Sequence, residues 1–440
     1  MAHWFSDRNS KVNKVERRFV LQQFYWNAVF WGLGNGFVSS SLVVYLAGTY
    51  GTKGFATSLI LAAPRLVGVL RLGTPILLNQ VGDYRQFCGR VFLASSAMLL
   101  LLPIVSAPGL FSNSTTSLAA LVLCWTGYHL LEFLGTIALW AWIGELVPRA
   151  VRGRFVGRRA ALLNSFQVVG MLAGAIGTSW WQNTRHAAAE SLHNWWAYVA
   201  CVAVGAVCFA LATIPFWRIP QDWSANRVNS TTSISSWSSI LAPFLDPQFR
   251  RYLTYGGWFS LANGITGSAQ FLFQMRVLDF SYAQRLGLDG TSQAAQSAVM
   301  PWIGNQIDRR GNVPVLVISQ ALVALGMVFF LLATPTARWW VAAAYGMWVA
   351  YAGINVAMPN LVLTLARPQL YASYAAAWFA WTQLVYALTT LASGLLFDWA
   401  TQYWQPLSVG TWKLDHFAAI FFLGLLLRLL AVLLAARVKE

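Results

Sequence analysis

The stretch GNQIDRRGN, from Gly304 to Asn312, lies between two apolar runs, and a looser copy, NQVGDYRQFCGR from Asn79 to Arg90, lies between two earlier ones. The recurrence extends in both directions. Second-half residues fall on first-half residues with a shift that drifts from 228 to 219, as small loop insertions cause. Asn35-Gly36 falls on Asn263-Gly264, Pro75 on Pro301 and Asp83 on Asp308. The exit of the fourth apolar run, IGELVPRAVRGRFVGRRAALLNSF, falls on LVLTLARPQLYASYAAAWFAWTQL after the tenth, which pairs Asn164 with Gln383.

Working outward, twelve stretches of membrane-spanning length follow: 20–47, 55–81, 91–111, 118–147, 160–181, 196–217, 252–277, 283–307, 313–334, 339–366, 373–400 and 416–436. Each holds the roughly 20 mostly apolar residues that an about 30 Å hydrocarbon core requires of a helix. The eighth is the weakest on hydropathy, carrying Arg285, Asp289, Gln293 and Gln296, and its assignment rests on the repeat. With 57% hydrophobic and 10% charged residues among 440, the chain has too little polar surface to coat a soluble globule. The expectation is an all-α membrane protein of twelve helices in two pseudo-symmetric six-helix bundles. Its parts are an N-terminal arm at 1–18, a first bundle at 19–217, a linker with one interfacial helix at 218–251, and a second bundle at 252–440.

The net charge of +16 would suggest nucleic acid in a soluble protein, so the placement of the cations decides the matter. If both termini are cytoplasmic, 21 Lys and Arg fall in inner segments against 4 in outer loops, the positive-inside pattern. The expected setting is a plasma membrane, such as a bacterial inner membrane, and the bilayer rather than nucleic acid is the partner. The apolar stretch after the basic arm is too long for a signal-peptide core. Cys88, Cys124, Cys201 and Cys208 show no CxxC spacing and are assigned neither disulfide nor metal. Tryptophans near span ends, such as Trp180, Trp196, Trp339 and Trp404, suit the headgroup zone.

The glycine, three residues, Asp-Arg, one residue, glycine pattern of Gly304 to Gly311 resembles the signature loop of the major facilitator superfamily. ELVPRAVRGRF, Glu145 to Phe155, is similar to the run that follows the fourth helix in that superfamily. The first-half loop departs from the pattern, with two extra residues between Asp83 and Gly89-Arg90. The resemblance implies alternating access between two halves, with Asp83, Arg90, Glu145, Arg152, Gly304, Asp308, Arg309 and Gly311 as gating candidates. The competing account of the acids is positive-inside decoration with incidental charge.

Charged residues within spans are costly and usually face a cavity or a partner. Arg65, ten residues into the second stretch and next to Pro64, is a candidate anchor for an anionic or carbonyl-bearing substrate; the alternatives are an ion pair with Glu132 and snorkelling. His129, Glu132, Thr136 and Trp140 share one face of the fourth helix by spacing. Glu132 is the leading proton carrier, against a permanently paired acid that fixes packing. Asp289 is a second acid candidate, with self-pairing to Arg285 four residues away as the alternative. The resemblance places Asn35, Asn263, Asn164 and Gln383 where a substrate could be bound, with interhelical packing as the competing account for the Asn-Gly pairs. Arg71 and Arg428 are expected to snorkel or brace a gate. Gly170, Gly174 and Gly177 permit close helix approach, but the stretch lacks the proline of the drug-antiporter signature.

No nucleotide motif, HExxH, GxSxG or paired metal ligands occur in the sequence. The expectation is a non-enzymatic secondary transporter without cofactor or metal, a monomer moving a small organic solute, with an anionic substrate and coupling to protons or another ion as refinements. A non-transporting assembly factor or sensor, and an exporter of amphiphiles, drugs or lipids, are the alternatives.

Overall fold

The computed structural model describes residues 11–38, 43, 62–107, 109–111, 113–184, 190–223, 237–280, 282–367, 370–403, 407–409 and 412–440. The first four helices are α1 (Lys11–Phe37), α2 (Thr74–Val81), α3 (Tyr84–Val105) and α4 (Ser114–Leu146); α2 continues a 3-10 segment, Gly68–Gly73, itself preceded by helical residues 62–67. Then come α5 (Arg149–Thr184), α6 (Glu190–Leu211), the single turn α7 (Ile214–Trp217) and α8 (Trp237–Leu245). The second half holds α9 (Pro247–Leu272), α10 (Tyr282–Arg310), α11 (Asn312–Leu332), α12 (Trp339–Trp348), α13 (Tyr351–Leu365), α14 (Tyr371–Tyr403) and α15 (His416–Ala436). A π-helical turn, Phe273–Val277, extends α9.

Eight stretches, on α3, α4, α5, α6–α7, α11, α12–α13, α14 and α15, are long and apolar enough to cross a bilayer, and the chain is an integral membrane protein. The described residues of the first, second, seventh and eighth expected stretches fall short of that test. Residues 39–42 and 44–61, which belong to the first two, lie outside the described residues, whereas the eighth carries Asp289, Gln293 and Gln296 within its length.

Helix packing repeats in the same way. α1 lies along α5 and touches α6, as α9 lies along α14 and touches α15; α3 packs on α6, as α11 packs on α15. The 3-10 segment and α2 lie against α14, and α10 lies against α5. Small residues make these crossings close. A Cβ on Gly36 would collide with the Gln167 carbonyl, and one on Gly170 would stand 2.5 Å from the Leu33 carbonyl. In the second half, a Cβ on Gly264 would collide with Thr389. Of the three glycines expected to permit close approach, Gly170 does so, whereas a Cβ at Gly177 would meet nothing.

Acidic caps set several helix starts. Asp83 accepts from the Arg85 and Gln86 amides, Asp246 from Gln248 and Phe249, and Asp415 from Ala418. A short antiparallel hairpin, Leu407–Val409 with Trp412–Leu414, joins α14 to α15, a departure from an all-α chain. Its sequence explains it: apolar and aromatic residues flank Gly410-Thr411, a Gly-X pair suited to a two-residue turn.

The tryptophans divide. Trp180, Trp196 and Trp339 are exposed, as interface residues would be, but Trp125 and Trp142 are fully buried. Trp142 meets Phe24 edge-on at 5.0 Å and stacks over Tyr84 at 6.0 Å, so these rings form core packing. In the expected linker, α8 exposes Leu241 and Leu245, which suits an interfacial helix; residues 224–236 and Trp404 lie outside the described residues.

Candidate functional site

Among the described residues, two regions join the halves. The first is where the signature loop meets α5. Asp308 accepts hydrogen bonds from two consecutive backbone amides, Gly153 at 2.8 Å and Arg154 at 2.9 Å, and the Arg154 Nε donates to Asn305 Oδ1 at 2.7 Å. Gly304 lies so close to the Gly153 carbonyl that a Cβ would collide, and a Cβ on Gly157 would stand 2.6 Å from the Met300 carbonyl. Gly311 has φ +87, so both glycines of the motif are required by geometry, one for close approach and one for a left-handed turn. Beside this contact, Arg152 is buried and donates to the carbonyls of Gly144 (3.0 Å), Val147 (3.1 Å) and Leu363 (3.0 Å). One guanidinium thereby ties the C-terminal ends of α4 and α13, where carbonyls lack helical partners.

The other gating candidates divide. Asp83 caps its own helix rather than reaching the facing half. Glu145 accepts from the Tyr84 hydroxyl at 2.6 Å. Arg90 and Arg309 are exposed on the surface. Outside the membrane stretches, Asp246 joins the linker to α14, accepting from the Tyr374 hydroxyl at 2.7 Å with Arg367 at 3.8 Å. Burial pushes its pKa up, but the Tyr374 hydroxyl, the Phe249 and Gln248 amides and Arg367 outweigh that and hold it below the ordinary carboxylate value.

The second region lies between the second span, α4 and α14. The Arg65 guanidinium sits 3.7 Å above the Tyr386 ring, a contact between halves and not the ion pair with Glu132 that is the alternative to a substrate role. Glu132 instead meets His129 Nδ1 at 2.8 Å, with side chains 16% and 19% exposed, so the pair is accessible. Trp125, Tyr128 and Phe133 surround the imidazole, with centroids 4.3, 4.7 and 5.4 Å away. Arg71 does not snorkel. It is 3% exposed, with its guanidinium 3.9 Å from the Phe133 ring and 5.7 Å from Phe379, and Glu132 within electrostatic reach. The snorkelling expectation failed because the 3-10 turn directs this side chain between α4 and α14.

A third polar cluster lies within the second half. Arg428, also buried rather than snorkelling, donates to the Tyr351 hydroxyl at 2.8 Å and to Thr266 Oγ1 at 3.2 Å, and Tyr351 donates to Asn263 Oδ1 at 2.9 Å. Asn263 is thus engaged inside its own half, while Asn35 is half-buried on α1. Asn164 points its amide at the Met300 sulfur at 3.8 Å across the α5–α10 contact. Trp140 lies 5.6 Å from the buried guanidinium of Arg159, which also donates to Asn27 at 3.3 Å. Thr136, Gln383 and Asp289 are half-buried, and the side chain of Arg285 lies outside the described ones, so their expected pairing does too.

Sequence reasoning missed Tyr386, Tyr351 and Arg159. The repeat could have signalled Tyr386, since it follows Gln383 by one turn on the helix matched to α5. All four cysteines are free, and among the described residues no group of His, Cys, Asp or Glu could hold a metal.

At the level of sequence, no protein-family model and no curated protein matches the chain. The fold is that of the major facilitator superfamily. The solved proton:xylose symporter XylE is similar with a TM-score of 0.69 and 12% identity, covering 97% of each chain. A bacterial homologue of the iron transporter ferroportin, in its outward-facing state, gives 0.71 and 12% over 94% of this chain and 98% of its own. The transporter FucP, in the outward conformation, gives 0.68 and 12% over 96% and 98%.

Proposed function

We propose that the chain is a secondary transporter of a small organic solute, working by alternating access between two six-helix halves, with both termini cytoplasmic. The observation that carries this reading is the segregation of contacts between the halves. Backbone and arginine clasps at Asp308, Arg154 and Arg152 close one end, while a partly exposed polar pair, His129 with Glu132, lies further along α4, near Phe133, whose ring packs on Arg71. A clasp of charge-assisted hydrogen bonds to backbone is strong enough to hold one state and is broken without unfolding any helix. The similarity to XylE, FucP and the ferroportin homologue supports the same reading, since each is described as a transporter. The clasped end is then the cytoplasmic one, which makes this an outward-facing state, the state in which FucP and the ferroportin homologue are described.

In this reading Glu132 carries the coupling proton, with His129 as its partner, and Arg65, Thr136, Gln383 and Asn35 border the substrate path. Purified protein in proteoliposomes tests it. Uptake or exchange of at least one solute from a broad metabolite panel, collapsing in Asp308→Asn or Arg152→Gln, is expected. Absence of any flux with or without a pH gradient would favour the non-transporting alternative.

A further inference from the structure

The buried arginine of the second span has no acid to itself. Arg71 is 3% exposed, yet its Nε and Nη2 have no hydrogen-bond partner. These two nitrogens form one edge of the guanidinium, the edge that grips a carboxylate with two parallel bonds. Beside it Gly68 clears space, since a Cβ there would stand 2.9 Å from Nη2. The faces of the guanidinium are covered by Phe133 of α4 and Phe379 of α14, so one wall of the enclosure belongs to each half. A buried cation with one guanidinium edge unbonded is costly unless an anion meets that edge in some state of the protein.

Among the described residues, the charged and titratable groups around it are few. The second span brings Arg65 and Arg71, α4 brings His129 and Glu132 with the buried Tyr128, and α3 brings Cys88 with its sulfur toward the Gly135 carbonyl. α14 brings Tyr386 and no Lys, Arg, Asp, Glu or His from Tyr371 to Phe397. Among the described residues there is a single carboxylate against two arginines and a histidine that is a cation only when protonated, and Glu132 spends an oxygen on His129 at 2.8 Å.

We propose that Arg71 and His129 form the binding site for the carboxylate of an organic anion, and that Glu132 competes with that carboxylate for the same two cations. Parting of α14 from the second span uncovers the free edge of Arg71. Ionised Glu132 occupies the cations; protonated Glu132 releases them to the substrate. One proton is therefore taken up for each anion bound, and the pair moves together. The sign follows from competition: anion affinity rises as pH falls, by at most about tenfold per pH unit for one linked proton. The inference rests on the transport reading and assigns its substrate class.

Acetate, lactate, benzoate and succinate, with glucose and choline as neutral and cationic controls, serve as probes of purified protein. Binding is read by thermal stabilisation and by proton uptake in weak buffer, and flux is read in proteoliposomes. At least one carboxylate is expected to bind with uptake of one proton. The double variant Glu132→Gln/His129→Gln is expected to bind it with affinity independent of pH, Arg71→Gln to lose at least tenfold, and Arg71→Lys to recover part of the loss. Monodisperse elution of each variant controls for folding. No carboxylate binding in the wild type, or binding unchanged by Arg71→Gln, overturns the assignment. Flux of glucose or choline alone would overturn it while leaving the transport reading intact. Carboxylate binding without any flux would do the reverse.

Discussion

Asp246 shows how one acid joins three elements. It caps α9, accepts from Tyr374 on α14 and faces Arg367 at the end of α13. Because the folded state holds its pKa below the ordinary value near 3.9, its contribution is fully present above that value and is lost as pH falls through the lower folded one. Asp246→Asn is expected to cost about 1 kcal/mol, the usual scale of an N-cap, and to flatten the acid limb of the stability curve below about pH 4. Thermal unfolding in detergent at stepped pH measures both. Among single residues, Asp308, Gly304 and Gly311 were legible because a signature loop demands their chemistry locally. The partners of Arg65, Arg71 and Arg428 were not. Tyr386, Phe379 and Tyr351 lie far away in sequence, and apolar periodicity in a membrane helix does not distinguish a face toward lipid from one toward protein.

At the scale of elements, the repeat was legible as matched dipeptides, and the structure gives those dipeptides a steric meaning. Gly36 and Gly264 occupy the corresponding α1–α5 and α9–α14 crossings, and neither leaves room for a Cβ. Gly36→Ala and Gly264→Ala are each expected to destabilise by roughly 1–3 kcal/mol through overpacking, whereas Gly177→Ala, in open space, is expected to be neutral or slightly stabilising. Thermal unfolding of the three variants under one condition makes the comparison. The 3-10 segment Gly68–Gly73 was not legible. Gly68, Gly73, Pro64 and Pro75 mark a stretch prone to irregularity, but not which way the intervening arginine turns.

At the scale of the whole molecule, the clasped end offers a direct handle. Cysteines replacing Arg154 and Asn305, whose side chains meet at 2.7 Å, are close enough for a short thiol cross-linker. Bridging them is expected to abolish flux and cleaving a reducible linker to restore it, measured as uptake in proteoliposomes. Flux undiminished by a complete bridge would show that this end does not open. The four native cysteines are free, with Cys88, Cys124 and Cys201 buried, so Cys208 is the one to replace first.

The weak hydropathy of α10 has a consequence for how the chain is made. A helix leaves the translocon for lipid when its own residues favour the transfer, and polar groups at its centre hold it back. α10 is such a helix, and the one residue between it and the strongly apolar α11 is Gly311. The expectation is that the two insert as a tight hairpin, with α10 held in the bilayer by α11 and by α5, against which it packs; α10 expressed without α11 is then expected to fail to insert. On this view the Gly304–Gly153 contact would serve the insertion of α10 as well as the clasp proposed above.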